Sequence, residues 1–238
     1  MRETKYTGKY FSVLGDSIST FLGYNPPDCA VYYDWEHKCL AEIYTPADTW
    51  WGKVINALGG KLLVNNAFSG STVSKLPCFE IESYGCGDTR TSALGIGTLS
   101  PDVIIVLLGI NDWGHGATPF SDDDGDGPDN FSVAYRTMLS KLKRNYPNAE
   151  IWCLTLPRSH WSANPDFLPP QCFKGHHFGD YCQAIRKCAK SADCRLIDIY
   201  DPENTYDTID GFHPNAHGML TIANAVLSHL QGGDTDDN

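Results

Sequence analysis

Five near-continuous apolar runs, with amphipathic stretches between them, constrain the fold of this chain more than any other feature. They are Tyr10–Leu14, Lys61–Ala67, Pro101–Gly109 with VIIVLL at its centre, Glu150–Leu156 and Arg195–Ile199. A strand with one wet face alternates apolar and polar residues. A run apolar at almost every position suits a strand covered on both faces, as in a parallel sheet. Between these runs lie helical stripes with i, i+3, i+4, i+7 spacing. Trp51, Val54, Ile55 and Leu58 form one, and Phe131, Ala134, Tyr135, Met138, Leu139 and Leu142 a longer one. Tyr181, Ile185 and Cys188 suggest a third. Met219, Ile222, Ala223, Val226, Leu227 and Leu230 make the last, which should end before Gly232 and Gly233. The alternation predicts right-handed βαβ units in a single α/β domain over residues 1–230, with 231–238 a flexible tail.

In such a sheet, ligands bind beyond the carboxyl ends of the strands. The first run empties into Gly15-Asp16-Ser17-Ile18-Ser19. A serine there can present its hydroxyl to a pocket and its amide to a tight turn. Ser19 stands where the second glycine of a G-x-S-x-G nucleophile elbow belongs, so this is a different arrangement. Far along the chain stands Asp210-Gly211-Phe212-His213-Pro214. A hydroxyl becomes a useful nucleophile once a base takes its proton, and imidazole titrates in the right range. Asp210, three residues before His213, can fix the tautomer of that base. Pro214 suits the first position of the closing helix. Gly70, after the second strand, can offer a backbone N–H to an oxyanion, and Asn111, after the third, a side-chain amide.

These four segments, GDSIS around Ser17, FSGS around Gly70, GIND around Asn111 and DGFHP around His213, resemble the motifs of the SGNH superfamily, the GDSL esterases and lipases. The resemblance covers Tyr10 to about Leu230. It implies Ser17 as nucleophile, completed by Asp210 and His213, with an oxyanion hole from the amides of Ser17 and Gly70 and the side chain of Asn111. It also implies a flavodoxin-like three-layer sandwich whose five-stranded parallel sheet is ordered 2-1-3-4-5, with helices on both faces. The expected activity is carboxylic ester hydrolysis through an acyl-enzyme, on a short-chain or carbohydrate O-acetyl ester. The alternatives are a lysophospholipase or thioesterase acting on longer chains, and a non-catalytic binding protein on the same fold. Asp16, Trp113 and His115 are further candidates for substrate contact.

Three long segments, 23–48, 78–98 and 158–179, fit no alternation and are placed to wall a pocket. Within them, Arg90 is expected at the surface, with a cation at the pocket wall as the alternative. Trp50 and Trp51 are expected to be structural. Asp122, Asp124 and Asp126 copy the first half of a calcium loop, but Val133 replaces the bidentate glutamate at its twelfth position, so a solvated acidic loop is expected. Cys172, His176, His177 and Cys182 match no zinc spacing, although His176 or His177 against substrate stays open. Neither metal nor cofactor is expected.

The net charge of −11 repels phosphate, which argues against nucleic acid as a partner. No apolar run approaches the roughly 18 residues that span a bilayer. The nine cysteines are odd in number and contain no CxxC, so a reducing cytoplasm is the expected location. Met1–Gly8 does not read as a leader, and secretion stays possible for a chain that has lost one. Asn130-Phe131-Ser132 is a glycosylation sequon, relevant only outside the cytoplasm.

Overall fold

In a computed structural model, residues 4–27, 29–76, 83–120, 127–164 and 166–233 are described. Asp122, Asp124 and Asp126, and residues 234–238 of the expected tail, lie outside them.

The five apolar runs form one parallel sheet. Its strands are β1 (Tyr10–Gly15), β2 (Lys61–Ala67), β3 (Val103–Leu107), β4 (Glu150–Leu154) and β5 (Arg195–Ile197), in the order β2-β1-β3-β4-β5. This is the order the family resemblance implies. Every residue of β3 is buried, which accounts for the absence of polar alternation in VIIVL. Gly15 of β1 pairs with Ala67 of β2 on one side and Leu107 of β3 on the other. That register brings the turns after all three strands to one edge of the sheet.

Helices cover both faces. They are α1 (Trp35–Leu40), α2 (Trp50–Ala57), α3 (Asp88–Ser92), α4 (Ile110–His115), α5 (Phe131–Asn145), α6 (Phe178–Ser191) and α7 (Ala216–Gly233). α2 packs on α7, and α5 packs on α3 and α6. The α5 stripe is buried as its periodicity predicts. Asn130 caps that helix, with Oδ1 accepting from the Val133 amide at 3.2 Å and Nδ2 donating to the Phe120 carbonyl at 2.9 Å. The sequon asparagine is thus buried and engaged at both ends of its amide. No helix among the described residues is long and apolar enough to cross a membrane.

Several expectations are corrected. α7 continues through Gly233 rather than stopping before Gly232, with buried Leu230 anchoring its last turns. It opens at Ala216 rather than Pro214, because Asn215 Oδ1 caps it by accepting from the Gly218 amide at 2.9 Å. The segment 23–48 holds α1, and 158–179 holds the strand Arg158–Trp161, which pairs in parallel with Thr205–Thr208 outside the main sheet. Cys172–Phe173 and His176–His177 form a small antiparallel pair, and the described residues contain no cluster able to hold a metal. The eight described cysteines are free.

Candidate active site

Ser17 opens a three-residue 3-10 turn directly after β1, and Asp16 caps it by accepting from the Ile18 amide at 3.0 Å. The turn rests on buried tryptophans. Trp51 Nε1 donates to the Ser19 carbonyl at 2.9 Å, and Trp50 Nε1 to Ser19 Oγ at 3.3 Å. Both are structural, as expected, and what they support is the serine turn.

His213 approaches from the other end of the chain. Its Nε2 lies 2.9 Å from Ser17 Oγ, and its Nδ1 lies 2.6 Å from Asp210 Oδ2. The tautomer that satisfies both contacts carries its proton on Nδ1 and leaves Nε2 to accept from the serine hydroxyl. Asp210 Oδ1 accepts from the amides of Phe212 and His213 at 3.0 and 2.8 Å. Partial burial pushes the Asp210 carboxyl up, but the bonds from His213 and Tyr32 outweigh it and hold the group well below the usual carboxylate range. It is therefore an anion at neutral pH.

The loop that carries this pair is pinned by the Arg158–Trp161 and Thr205–Thr208 ribbon. Ser159 Oγ donates to the Gly211 carbonyl at 2.8 Å, Trp161 Nε1 to the Ile209 carbonyl at 2.9 Å, and Tyr206 OH to the Phe212 carbonyl at 2.8 Å. Gly211 sits at φ +98°, and a Cβ there would stand 2.6 Å from the Phe167 ring. Only glycine meets both demands without strain.

The candidate donors for an oxyanion, Asn111 and Gly70, lie in the neighbouring turns. Asn111 lies in the first turn of α4, and its Nδ2 gives one hydrogen to the Ser71 carbonyl at 2.9 Å, leaving the other to point elsewhere. Gly70, at φ +79°, makes the turn just before Ser71. Asp112, fully buried, accepts from the amides of Val73 and Ser74 at 2.8 and 2.9 Å and so clamps the following residues. Burial pushes its carboxyl up to about 6, and that of Asp16 up to about 7.

Arg90 is the largest departure from expectation. It is 3% exposed, not a surface residue. Its guanidinium donates to the carbonyls of Gly15 at 3.0 Å and Asn66 at 2.8 Å, to Ser71 Oγ at 2.7 Å, and to the Ser83 carbonyl. One side chain thus joins the end of β1, the end of β2 and the residue that holds Asn111. Four acceptors from separate segments converge on it, which is the condition under which a guanidinium is tolerated inside a protein.

A cleft of about 370 Å³ opens beside Ser17, lined by Ile18, Ile110, Asn111, Trp113, Phe173 and Phe212, with His213 on its wall. Trp113, a candidate for substrate contact, is part of its wall. Asp16 is buried beneath the turn, and His115 is exposed at the far end of α4; neither lines the cleft. Gly70 does not line it either, although its turn is joined to Asn111. His176 and His177 are likewise absent from its wall, but their neighbour Phe173 is present. A second, more polar hollow of about 640 Å³ lies on the other side of Asp210, with Tyr32, His37, Glu42, Ser162, Asn215 and His217 among its walls.

The residue that sequence reasoning missed is Tyr32. Its hydroxyl donates to Asp210 Oδ2 at 2.7 Å, and its ring stacks on the His213 imidazole with centroids 3.4 Å apart and planes 11° from parallel. One tyrosine in an irregular segment, 178 positions from its partner, leaves no local pattern to read.

The profile of the GDSL-like lipase/acylhydrolase family matches residues 9–158. The chain is 26% identical over 133 residues to the cellulase/esterase CelE of Acetivibrio thermocellus, a match that covers 55% of this chain and 14% of that protein. It is similar in structure to a protein described as a GDSL-like lipase from Bacteroides ovatus, with a TM-score of 0.70 and 25% identity across 95% of this chain and 99% of that one. Est24, a carbohydrate acetylesterase from Sinorhizobium meliloti, shares the fold at a TM-score of 0.63 and 16% identity, across 94% of this chain and 99% of that one. With the family profile spanning more than half of its length and the sheet in the order that the motifs imply, this chain belongs to the GDSL-like lipase/acylhydrolase, or SGNH hydrolase, family.

Proposed function

We propose that the chain is a serine ester hydrolase that works through an acyl-enzyme, with Ser17 as nucleophile, His213 as base and Asp210 as its partner. The observation that carries this reading is the unbroken line from Ser17 Oγ through the imidazole to Asp210 Oδ2, at 2.9 and 2.6 Å. Ser17 Oγ attacks the ester carbonyl while Nε2 takes its proton, and Asp210 stabilises the imidazolium that results. The amides of Ser17 and Gly70 and the Asn111 side chain hold the tetrahedral oxyanion. His213 then returns the proton to the leaving alcohol, and water removes the acyl group by the same steps.

For substrate, we infer a carbohydrate O-acetyl or other short-chain ester. The named activities of CelE and Est24 support this, as do the hydroxyl, imidazole, amide and carboxylate groups of the hollow behind Asp210. One observation favours a second reading, an ester of a longer acyl chain. The cleft beside Ser17 is walled by Ile18, Ile110, Trp113, Phe173 and Phe212, and its 370 Å³ is more than an acetyl methyl fills.

Replacing Ser17 by Ala should lower kcat on p-nitrophenyl acetate by on the order of 10⁶-fold and leave the circular dichroism spectrum unchanged. Turnover at the parental rate would remove Ser17 from the nucleophile role. A series of p-nitrophenyl esters then separates the two substrate readings. A maximum in kcat/KM at two to four carbons supports the first, and a maximum at eight or more the second.

A further inference from the structure

We propose that Tyr32 is a positioning residue for the His213–Asp210 pair, fixing the carboxylate with its hydroxyl and covering the imidazole with its ring; this rests on the reading of Ser17, His213 and Asp210 given above. Asp210 Oδ2 takes two donors, His213 Nδ1 at 2.6 Å and Tyr32 OH at 2.7 Å, while Oδ1 takes two backbone amides. A carboxylate with four donors cannot rotate without breaking some of them. The imidazole is confined in the same way. Ser17 and Asp210 hold its nitrogens, and Tyr32 lies flat against one face at 3.4 Å.

Tyr32 is itself tied to both halves of the site. Its amide donates to Thr20 Oγ1 at 3.0 Å, and that hydroxyl donates to the Ser17 carbonyl at 2.9 Å. The next residue, Tyr33, donates its hydroxyl to the Pro214 carbonyl at 2.7 Å, and the Ala216 amide donates to the Ala41 carbonyl at 2.8 Å. The segment between β1 and α2 therefore bridges the serine turn and the histidine loop, and Tyr32 is the point at which it meets the reacting groups. Burial, and then the bond to Asp210, push the Tyr32 phenol far above its ordinary range, so it remains a donor throughout.

Two consequences differ in sign. The phenol draws charge from the oxygen that supports the imidazolium, so removing the hydroxyl leaves Oδ2 a stronger partner for the charged ring. The aromatic face stabilises the same charge directly, so removing the ring has the opposite effect. Other titratable groups near this pair include Tyr33 and Tyr206, which both interact with Asp210 and with buried Asp16, and, behind the Tyr32 ring, His37 with its partner Asp34. The Tyr32 substitutions alter none of these.

The experiment compares Tyr32→Phe and Tyr32→Leu with the parent and with Ser17→Ala, using p-nitrophenyl acetate across the histidine range of about pH 5 to 8. Tyr32→Phe should lower kcat/KM about tenfold, the size of one hydrogen bond to a charged group, and move the acid limb of the profile to higher pH. Tyr32→Leu should lower kcat/KM further and bring the limb to lower pH than in Tyr32→Phe. A limb that stays in place in Tyr32→Phe, or moves the other way, overturns the proposal whatever the rate, because a merely structural tyrosine would not set it. Parental turnover in Ser17→Ala would instead overturn the reading of the site on which the proposal rests. An inactive Ser17→Ala beside a parental Tyr32→Phe would remove Tyr32 alone.

Discussion

Asn111 lines the cleft and gives one amide hydrogen to the Ser71 carbonyl, which fixes the orientation of its side chain. A donor fixed in this way has its largest effect on the transition state, where the oxyanion is fully formed. Asn111→Ala should therefore lower kcat by about 10²–10³-fold, with KM within a few-fold of the parent; a change confined to KM would place Asn111 in ground-state binding. Arg90 acts one step further back, through Ser71 Oγ and the carbonyls of Gly15 and Asn66. Lysine keeps the charge but carries it on one nitrogen, which cannot replace the two terminal nitrogens of the planar fork that serve these acceptors. Arg90→Lys should lower both kcat and the melting temperature, and parental values of both would show that the fork is dispensable. Neither role could be read from the residue itself. An arginine in a short helix between strands is ordinarily solvated, and only the convergence of two strand ends upon it makes burial tolerable.

Among the elements, legibility follows burial pattern. The five strands were readable because a strand covered on both faces writes an uninterrupted apolar run, as in the fully buried β3. The strands Arg158–Trp161 and Thr205–Thr208 read RSHW and TYDT and lie outside that sheet, so they carry no such run. α1 buries none of its residues and so shows no stripe. The four motifs were legible because each is a short turn at a strand end or a helix start, where local sequence sets geometry. What joins them is long-range, and the ribbon that pins the histidine loop is the clearest case. Its weakest tolerance is at Gly211, where an added methyl meets both a positive φ and the Phe167 ring. Gly211→Ala should cost about 1–3 kcal/mol of stability and reduce kcat through misplacement of His213. An unchanged denaturation midpoint would show that the loop relaxes freely.

For the molecule as a whole, buried carboxyls give stability a pH dependence whose sign can be worked out. Asp16 rises from 3.8 to about 7 on folding, chiefly by burial, with Asp112 nearby moving in the same direction. Between pH 3.8 and about 7 the folded state then holds more protons at Asp16 than the unfolded chain does, so this group makes stability fall as pH rises through that window. Asp198 and Asp210 are held below 3.8 and contribute mainly at lower pH. Asp16→Asn should flatten the decline in urea midpoint between pH 5 and pH 7, and an equally steep decline in that variant would assign it to other groups. The same burial that raises Asp16 keeps it out of the cleft, so its place beside Ser17 in the sequence reflects a cap and not a substrate contact.

If His213 makes Ser17 nucleophilic, Ser17 reacts with an electrophile that traps activated serines. Labelling with a fluorophosphonate, followed by peptide mass spectrometry, should give one adduct, on the peptide that contains Ser17, and a labelling rate that collapses in His213→Ala. An adduct on another residue, or equal labelling with and without the imidazole, would show that His213 does not activate Ser17.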